Sequence, residues 1–111
     1  MTVRFIERDL FIDDNRYELP YPIDDSIEYI DLVIVLFSPD SAPKNYGQFH
    51  NLVALDRSGQ LQWEAQLPTS NTGDRYYKIA SKEPLVVYST QSYDCTISPQ
   101  TGGILAKVFT K

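Results

Sequence analysis

The alternation of apolar and polar residues along the chain predicts a series of short β-strands. Residues 61–67 are the clearest case, because Leu61, Trp63, Ala65 and Leu67 alternate with glutamine and glutamate. Side chains of a strand point alternately to its two faces, so this pattern indicates one buried and one solvated face. Further strands are predicted at residues 3–7, 49–55, 76–80, 85–90, 93–97 and 104–109.

The strongest predicted strand is residues 29–37, with the sequence YIDLVIVLF. From Leu32 onward both faces are apolar, which is typical of a central strand that is covered on both sides. Two valines, two isoleucines and the stop at Pro39 argue against a helix here. The cover is either the rest of the domain or a second chain, and the sequence leaves both open.

Polar, turn-forming stretches separate these strands. Residues 13–16 predict a turn that joins residues 10–13 and 17–19 into a small hairpin, and residues 24–26 predict another turn or the N-cap of a short helical turn. The longest polar stretch, residues 38–48, contains two prolines and a glycine and is predicted to be a loop. Loops of this length often have a function, although a plain surface connection is the alternative.

Together these elements predict an all-β protein. Its 111 residues are expected to form a single antiparallel domain, either a meander sheet or a sandwich, with no helix longer than a turn or two. With only one cysteine, no internal disulfide can form. No apolar run is long enough for a signal peptide or a membrane span, so a cytoplasmic protein is expected.

Charge is distributed unevenly along the chain. Residues 1–43 hold ten acidic and three basic residues, whereas the whole protein has a net charge of −5. Such a chain is a poor candidate for binding nucleic acid or an anionic membrane, but its acidic part could attract a basic protein. The alternative is that acidic residues in turns simply keep a β protein soluble.

One hairpin pattern occurs twice. In residues 55–63 and 97–106 an apolar residue is followed by a small polar acceptor (Asp56 or Ser98), a short turn, a glycine and a new strand. The glycine suits a turn position with positive φ, and the acceptor can bond the turn amides. Gly59 and Gly102 are separated by a distance in sequence that is typical of four-stranded propeller blades.

These residues carry a resemblance to a known repeat. ALDRSGQLQW resembles the ALD-x-x-G-x-x-x-W signature of quinoprotein-type (PQQ-like) β-propeller repeats, and TISPQTGGILA is similar to the same signature. Ser98 stands where that family has aspartate, and Ala106 where it has tryptophan. Two such units cannot close a propeller. A small sheet or sandwich of propeller-blade-like hairpins is therefore expected, with an oligomer or a fragment of a larger assembly as alternatives. No cofactor is expected, because a quinone site needs further blades.

The order of an acidic strand, the core strand and the two hairpins also resembles small stand-alone bacterial proteins, some of which are immunity proteins. That resemblance implies a non-catalytic protein that binds and blocks a toxin.

Few residues suggest catalysis. His50 and Cys95 are the residue types of a nucleophilic Cys–His pair. However, Cys95 lies in a predicted strand, so a buried structural thiol is the better interpretation. The acidic pairs lack the spacing of a calcium loop, and no phosphate loop or zinc motif is present. Trp63 could stack on a sugar, although its alternation places it in the core.

The leading hypothesis is thus a non-catalytic protein-binding or inhibitory module, such as an immunity-type protein, acting as a monomer or homodimer on a basic partner. A small-ligand or carbohydrate-binding domain, or a quinoprotein-like fragment, is the alternative. The candidate partner-binding residues lie in the acidic part and the long loop: Asp13, Asp14, Tyr21, Asp24, Asp25, Asp40 and Tyr46.

Overall fold

Eleven β-strands are present in the computed structural model, which describes residues 1–44 and 47–110. They are β1 (Val3–Ile6), β2 (Asp9–Ile12), β3 (Asn15–Glu18), β4 (Ile23–Tyr29), β5 (Leu32–Phe37), β6 (Leu52–Asp56), β7 (Leu61–Glu64), β8 (Tyr76–Ser81), β9 (Val86–Ser89), β10 (Tyr93–Ile97) and β11 (Ile104–Phe109). Within these ranges the only helical segment is a 3-10 turn at Pro39–Ser41.

The strands form three antiparallel sheets in which sequence neighbours pair. The first sheet contains β1 to β3, the middle sheet β4 to β7 and the last sheet β8 to β11, each in sequential order across the sheet. These sheets confirm the all-β fold of antiparallel, blade-like hairpins.

The middle sheet lies between the other two. Val33 and Val35 of β5 pack with Leu10 of the first sheet, whereas Ile34 packs with Val87 of the last sheet. Alternation along β5 sends its apolar side chains to opposite faces, so one strand contributes to both cores. The double-sided strand is therefore confirmed, and its cover on both sides comes from the same chain.

Several predicted boundaries in the middle sheet are wrong. The strands predicted at residues 49–55 and 61–67 are shorter or shifted, at Leu52–Asp56 and Leu61–Glu64. Residues 29–37 are not one strand, because Ile30 adopts a positive φ of 54° and forms a turn with Asp31 that separates β4 from β5. Residues 24–26 are not a turn or a helix cap but part of β4. A bulge between Ile23 and Asp25 lets the strand accommodate this polar stretch. Pairing with the apolar β5 overrides the local turn preference of aspartate.

Leu61 also departs from the predicted pattern. The register shifts between Ala54 and Leu55, so that Trp63 pairs with Ala54 while Leu61 pairs with Leu55. Trp63 consequently lies on the face toward the last sheet with only 7% exposure, and Leu61 is 56% exposed. A bulge places neighbouring odd-numbered residues on different faces, which simple alternation does not anticipate.

The repeated hairpin has the predicted turn geometry. The Asp56 carboxylate accepts hydrogen bonds from the backbone N–H groups of Ser58 (2.8 Å) and Gln60 (3.0 Å). In the second copy the Ser98 hydroxyl accepts one from the N–H of Thr101 at 3.3 Å. Gly59 and Gly102 have φ values of 78° and 77°.

Each of these glycines also packs on an aromatic ring of the preceding sheet. A Cβ built on Gly59 would lie 2.5 Å from the Tyr17 ring, and one built on Gly102 would lie 2.6 Å from the Trp63 ring. Trp63 stands four residues after Gly59. Tyr17 likewise stands four residues after Asp13, which has a φ of 53°. The hairpin of the first sheet thus shares with the hairpin of β6 and β7 a residue at positive φ four positions before the aromatic ring, although its turn contains only Asp13 and Asp14.

A buried amide joins the middle and last sheets. Asn51 has no exposed surface, and its Nδ2 donates to the carbonyl oxygens of Phe37 (3.0 Å) and Tyr76 (2.6 Å). Its Oδ1 accepts a hydrogen bond from the N–H of Tyr76 at 2.9 Å. One side chain thus satisfies three main-chain groups where the two sheets meet.

The connections lie at two opposite ends of the stacked sheets. At one end, called the loop end, hydrogen bonds join successive connections: Ile23 to Glu7, Ser38 to Pro22 and Thr90 to Arg75. The long segment between β5 and β6 and the segment between β7 and β8 are both at this end. The two repeated hairpin turns lie at the other end, because the strand before each turn (β6 or β10) starts at the loop end and runs away from it.

Candidate functional site

A cavity of about 580 Å³ opens at the loop end and extends along β6 and β7 as far as Gly59. It is bounded by the connection between β3 and β4, by the segment between β5 and β6, and by the face of the middle sheet toward the first sheet. The β6 residues Val53 and Leu55 form its floor, and the displaced Leu61 lines it as well. Its volume lies within the usual range for small-molecule sites.

Three aromatic side chains form one wall. The Tyr21 ring stands edge-on to Phe37, with centroids 5.4 Å apart, and edge-on to Phe49, with centroids 4.8 Å apart. Phe37 and Phe49 are buried, whereas Tyr21 is half-buried. Edge-to-face pairing holds these rings in fixed positions, so the wall is a preformed apolar surface.

Polar side chains line the cavity as well. His50, Glu64 and Arg75 all line the cavity. The Nδ1 of His50 lies 3.0 Å from the carbonyl oxygen of Ala65. Because a carbonyl oxygen can only accept, Nδ1 is the donor in this hydrogen bond.

Arg75 is the cationic group of the cavity. One of its terminal nitrogens donates to the carbonyl oxygen of Pro39 at 2.8 Å. No carboxylate of residues 1–44 or 47–110 lies within ion-pair distance of Arg75, and its Nε is buried without a hydrogen-bond partner among them. A guanidinium group has five donors, so Arg75 retains donors for an oxygen acceptor.

The acidic residues predicted to bind a partner are divided between the two ends. Asp13 and Asp14 form the turn between β2 and β3, and the Asp13 carboxylate accepts a hydrogen bond from the N–H of Thr2 at 2.8 Å. Asp24 and Asp40 are exposed near the loop end. The structure therefore does not gather the predicted acidic residues on one face.

The remaining predicted residues differ in their surroundings. Asp25 is half-buried in β4, and its carboxylate accepts a hydrogen bond from the N–H of Ser26 at 2.9 Å. Tyr21 lines the cavity, as described above. Tyr46 lies outside the described residues. Sequence reasoning missed Phe49 and Arg75 as site residues, since neither belongs to a motif and only the fold brings them to Tyr21.

Cys95 and His50 do not form a catalytic pair. Cys95 is fully buried in the core between the middle and last sheets, and His50 is bonded to the carbonyl oxygen of Ala65. Burial raises the pKa of the Cys95 thiol, which a hydrogen bond with Tyr76 only partly opposes. The thiolate, which is the nucleophilic form, is therefore disfavoured.

The burial of Cys95 makes its reactivity a reporter of unfolding. In native protein at pH 8 a thiol reagent such as dithionitrobenzoate is expected to leave Cys95 unmodified, whereas denatured protein should react fully and rapidly. Absorbance of the released thionitrobenzoate measures both rates. Rapid modification of the native protein would show that Cys95 is accessible.

Trp63 is not available for stacking on a sugar. Its indole packs beneath Gly102, and its Nε1 donates to the carbonyl oxygen of Pro99 at 2.9 Å. Among the described residues no group of three or more histidine, cysteine or acidic side chains is placed to hold a metal ion. In the same part of the chain, no helix has the length and apolar character needed to cross a membrane.

Comparison with curated proteins finds no match, and comparison with solved structures finds none either. The resemblances to quinoprotein-type repeats and to immunity proteins therefore stay predictions. A family model does match residues 1–109, which is nearly the whole chain. The protein belongs to the family described as "Domain of unknown function (DUF7957)".

Proposed function

We propose that the protein is a non-catalytic binding module that holds a small ligand in the cavity at the loop end. The observation that supports this most is a preformed cavity of about 580 Å³ that combines an aromatic wall with a few polar groups. Small-molecule sites usually combine apolar side chains, which contribute affinity, with polar groups that orient the ligand.

The lining indicates the class of ligand. The wall formed by Tyr21, Phe37 and Phe49 favours a flat, apolar body that can lie against ring faces and edges. Arg75 has unused donors and no carboxylate partner among the described residues, so it favours an acidic group on the ligand. An aromatic or alicyclic acid fulfils both requirements.

A fluorescence titration with anilinonaphthalene sulfonate tests this proposal, because the probe has a fused aromatic body and an anionic group. Native protein is expected to bind the probe with an increase in fluorescence. Ala42→Trp fills part of the cavity and should weaken binding about tenfold, which corresponds to about 1.4 kcal/mol. Arg75→Gln should weaken it as well by removing the positive charge.

Ala80→Trp is the matched control, because Ala80 is exposed in β8 and does not line the cavity. It should bind the probe as the unchanged protein does. Thermal melts of all variants verify that they are folded. No binding to the native protein, or equal binding by Ala42→Trp, would contradict a ligand site in this cavity.

A second candidate function uses the same end of the molecule for a basic protein partner. It is favoured by Asp24 and Asp40, which are exposed near the cavity and form no ion pair with the described residues. Such a partner would place an apolar segment against the aromatic wall and basic residues near the two aspartates. This function remains if the fluorescence titration fails.

A further inference from the structure

The two outer faces of the stacked sheets differ in character. The outer face of the first sheet is charged, with an ion pair between Arg16 and Asp9 at 3.1 Å and with Arg4 placed 4.0 Å from the centre of the Phe11 ring. Its charges are thus paired within the face. Terminal units of stacked folds usually have such a polar outer face, which acts as a cap.

The outer face of the last sheet lacks such a cap. Cys95 and Ile97 of β10 point into the core, so Asp94 and Thr96 point outward together with the residues paired with them. Apolar or small side chains predominate on this face: Tyr77, Val86, Tyr88, Thr96, Ala106 and Val108. Val108 is 61% exposed and Tyr77 is 49% exposed.

Ala106 occupies the position that Trp63 has in the middle sheet, since each lies four residues after the glycine of its hairpin. Within the chain an aromatic ring at this position packs on the glycine of the next sheet. A small residue here leaves no ring at this position of the outer face. Two sheets whose side chains interdigitate can approach each other to about 10 Å.

The face also carries two charges in a complementary arrangement. One row across the last sheet contains Val108, Asp94, Tyr88 and Lys78, each paired in register with the next. Asp94 and Lys78 are two strands apart, or about 10 Å, and neither forms an ion pair with the described residues. A two-fold axis parallel to the strands, through the middle of the face, would place each Asp94 opposite the other copy's Lys78, with a sideways offset of about one strand spacing.

We propose that the outer face of the last sheet is the interface of a symmetric homodimer, in which Asp94 of each copy pairs with Lys78 of the other. Closed two-fold pairing of identical faces is the commonest form of homo-oligomer. Head-to-tail stacking onto a first sheet would instead bury the paired arginines of that face at a desolvation cost. The proposal does not depend on the function of the cavity.

The size of the face sets the expected strength of the dimer. Four strands about 4.8 Å apart and about five residues long cover roughly 19 Å by 17 Å. Two such faces therefore cover only about 650 Å² in total, which lies below the range of standard specific interfaces and fits a weak, transient dimer. A dissociation constant on the order of 100 µM is therefore expected, and the dimer should form at high protein concentration.

Sedimentation velocity of the full chain, from about 5 µM to about 1 mM, tests this interface. The unchanged protein should shift from monomer to dimer over this range. Val108→Lys should weaken dimerisation about tenfold by placing a charge in the apolar face. Ile6→Lys is the matched control, because Ile6 is 59% exposed on the outer face of the first sheet.

A charge exchange tests the specific pairing. Asp94→Lys should weaken the dimer about tenfold, and adding Lys78→Asp to it should restore the dimer. A protein that stays monomeric at about 1 mM would overturn the proposal. A doubly exchanged variant that dimerises as weakly as Asp94→Lys would also overturn it. So would an Ile6→Lys variant that loses the dimer as Val108→Lys does, because an effect of Ile6 would indicate head-to-tail stacking.

Discussion

Replacing Asn51 with leucine is expected to lower the free energy of unfolding by about 4 kcal/mol. The leucine retains the volume of the buried side chain but removes the hydrogen-bond partners of the Phe37 carbonyl and of the Tyr76 N–H and carbonyl groups. Each main-chain group left without a partner in a buried site costs about 1–3 kcal/mol. Urea unfolding followed by tryptophan fluorescence measures the change, because Trp63 is buried in the core between the middle and last sheets.

Two further variants test whether the loss of stability comes from the lost hydrogen bonds of Asn51. Asn15→Leu is the surface control, since Asn15 is exposed in β3, and it should change the free energy of unfolding by less than about 0.5 kcal/mol. Asn51→Asp retains the shape but directs a carboxylate at two carbonyl oxygens, so it should be as damaging as the leucine near neutral pH. If Asn51→Leu leaves stability within about 1 kcal/mol, the amide does not hold the two sheets together.

The second large effect is expected for Gly102→Ala, which should cost about 3 kcal/mol. A φ of 77° costs an L-residue about 1–2 kcal/mol relative to glycine. The new Cβ would also lie 2.6 Å from the Trp63 ring, whose Nε1 is held by the Pro99 carbonyl and cannot simply swing away. Overpacking of this kind adds about 1–3 kcal/mol.

Gly47→Ala isolates the backbone contribution, because Gly47 has a φ of 88° and no described atom within 4 Å of a built Cβ. It should cost only about 1 kcal/mol. In a Trp63→Leu background the additional cost of Gly102→Ala should fall to the same value, since the ring that clashes is absent. Equal costs for Gly102→Ala with and without Trp63 would show that the ring and the glycine are not coupled.

The strands that could be predicted from the sequence are those whose bounds are set by residues close together in the chain. β10 and β11 have the bounds predicted for them, because period-two alternation and a glycine turn are both encoded within a few residues. β4 was missed because Asp24 and Asp25 have a local preference for turns, and only pairing with β5 makes them a strand. The exposure of Leu61 followed from a bulge that depends on the partner strand β6.

The candidate site was less predictable than the fold. Tyr21 was identified from its place in a connection, but the reason that it forms a site is its contact with Phe49, which is 28 positions away in the chain. Arg75 comes from the connection before the last sheet and reaches the same cavity. No spacing rule links such residues, because their proximity is set by how the connections at the loop end fold onto one another.

The sequence by itself determined the strand-and-turn character of the chain, the two apolar faces of β5 and the glycine turns of the repeated hairpin. These features follow from side-chain alternation and from the steric limits on φ, which act within one strand or one turn. The tertiary structure alone decided that Gly59 meets Tyr17, that Gly102 meets Trp63 and that Asn51 joins two sheets. Those contacts depend on the order and distance at which the sheets stack, and this is a property of the whole folded chain.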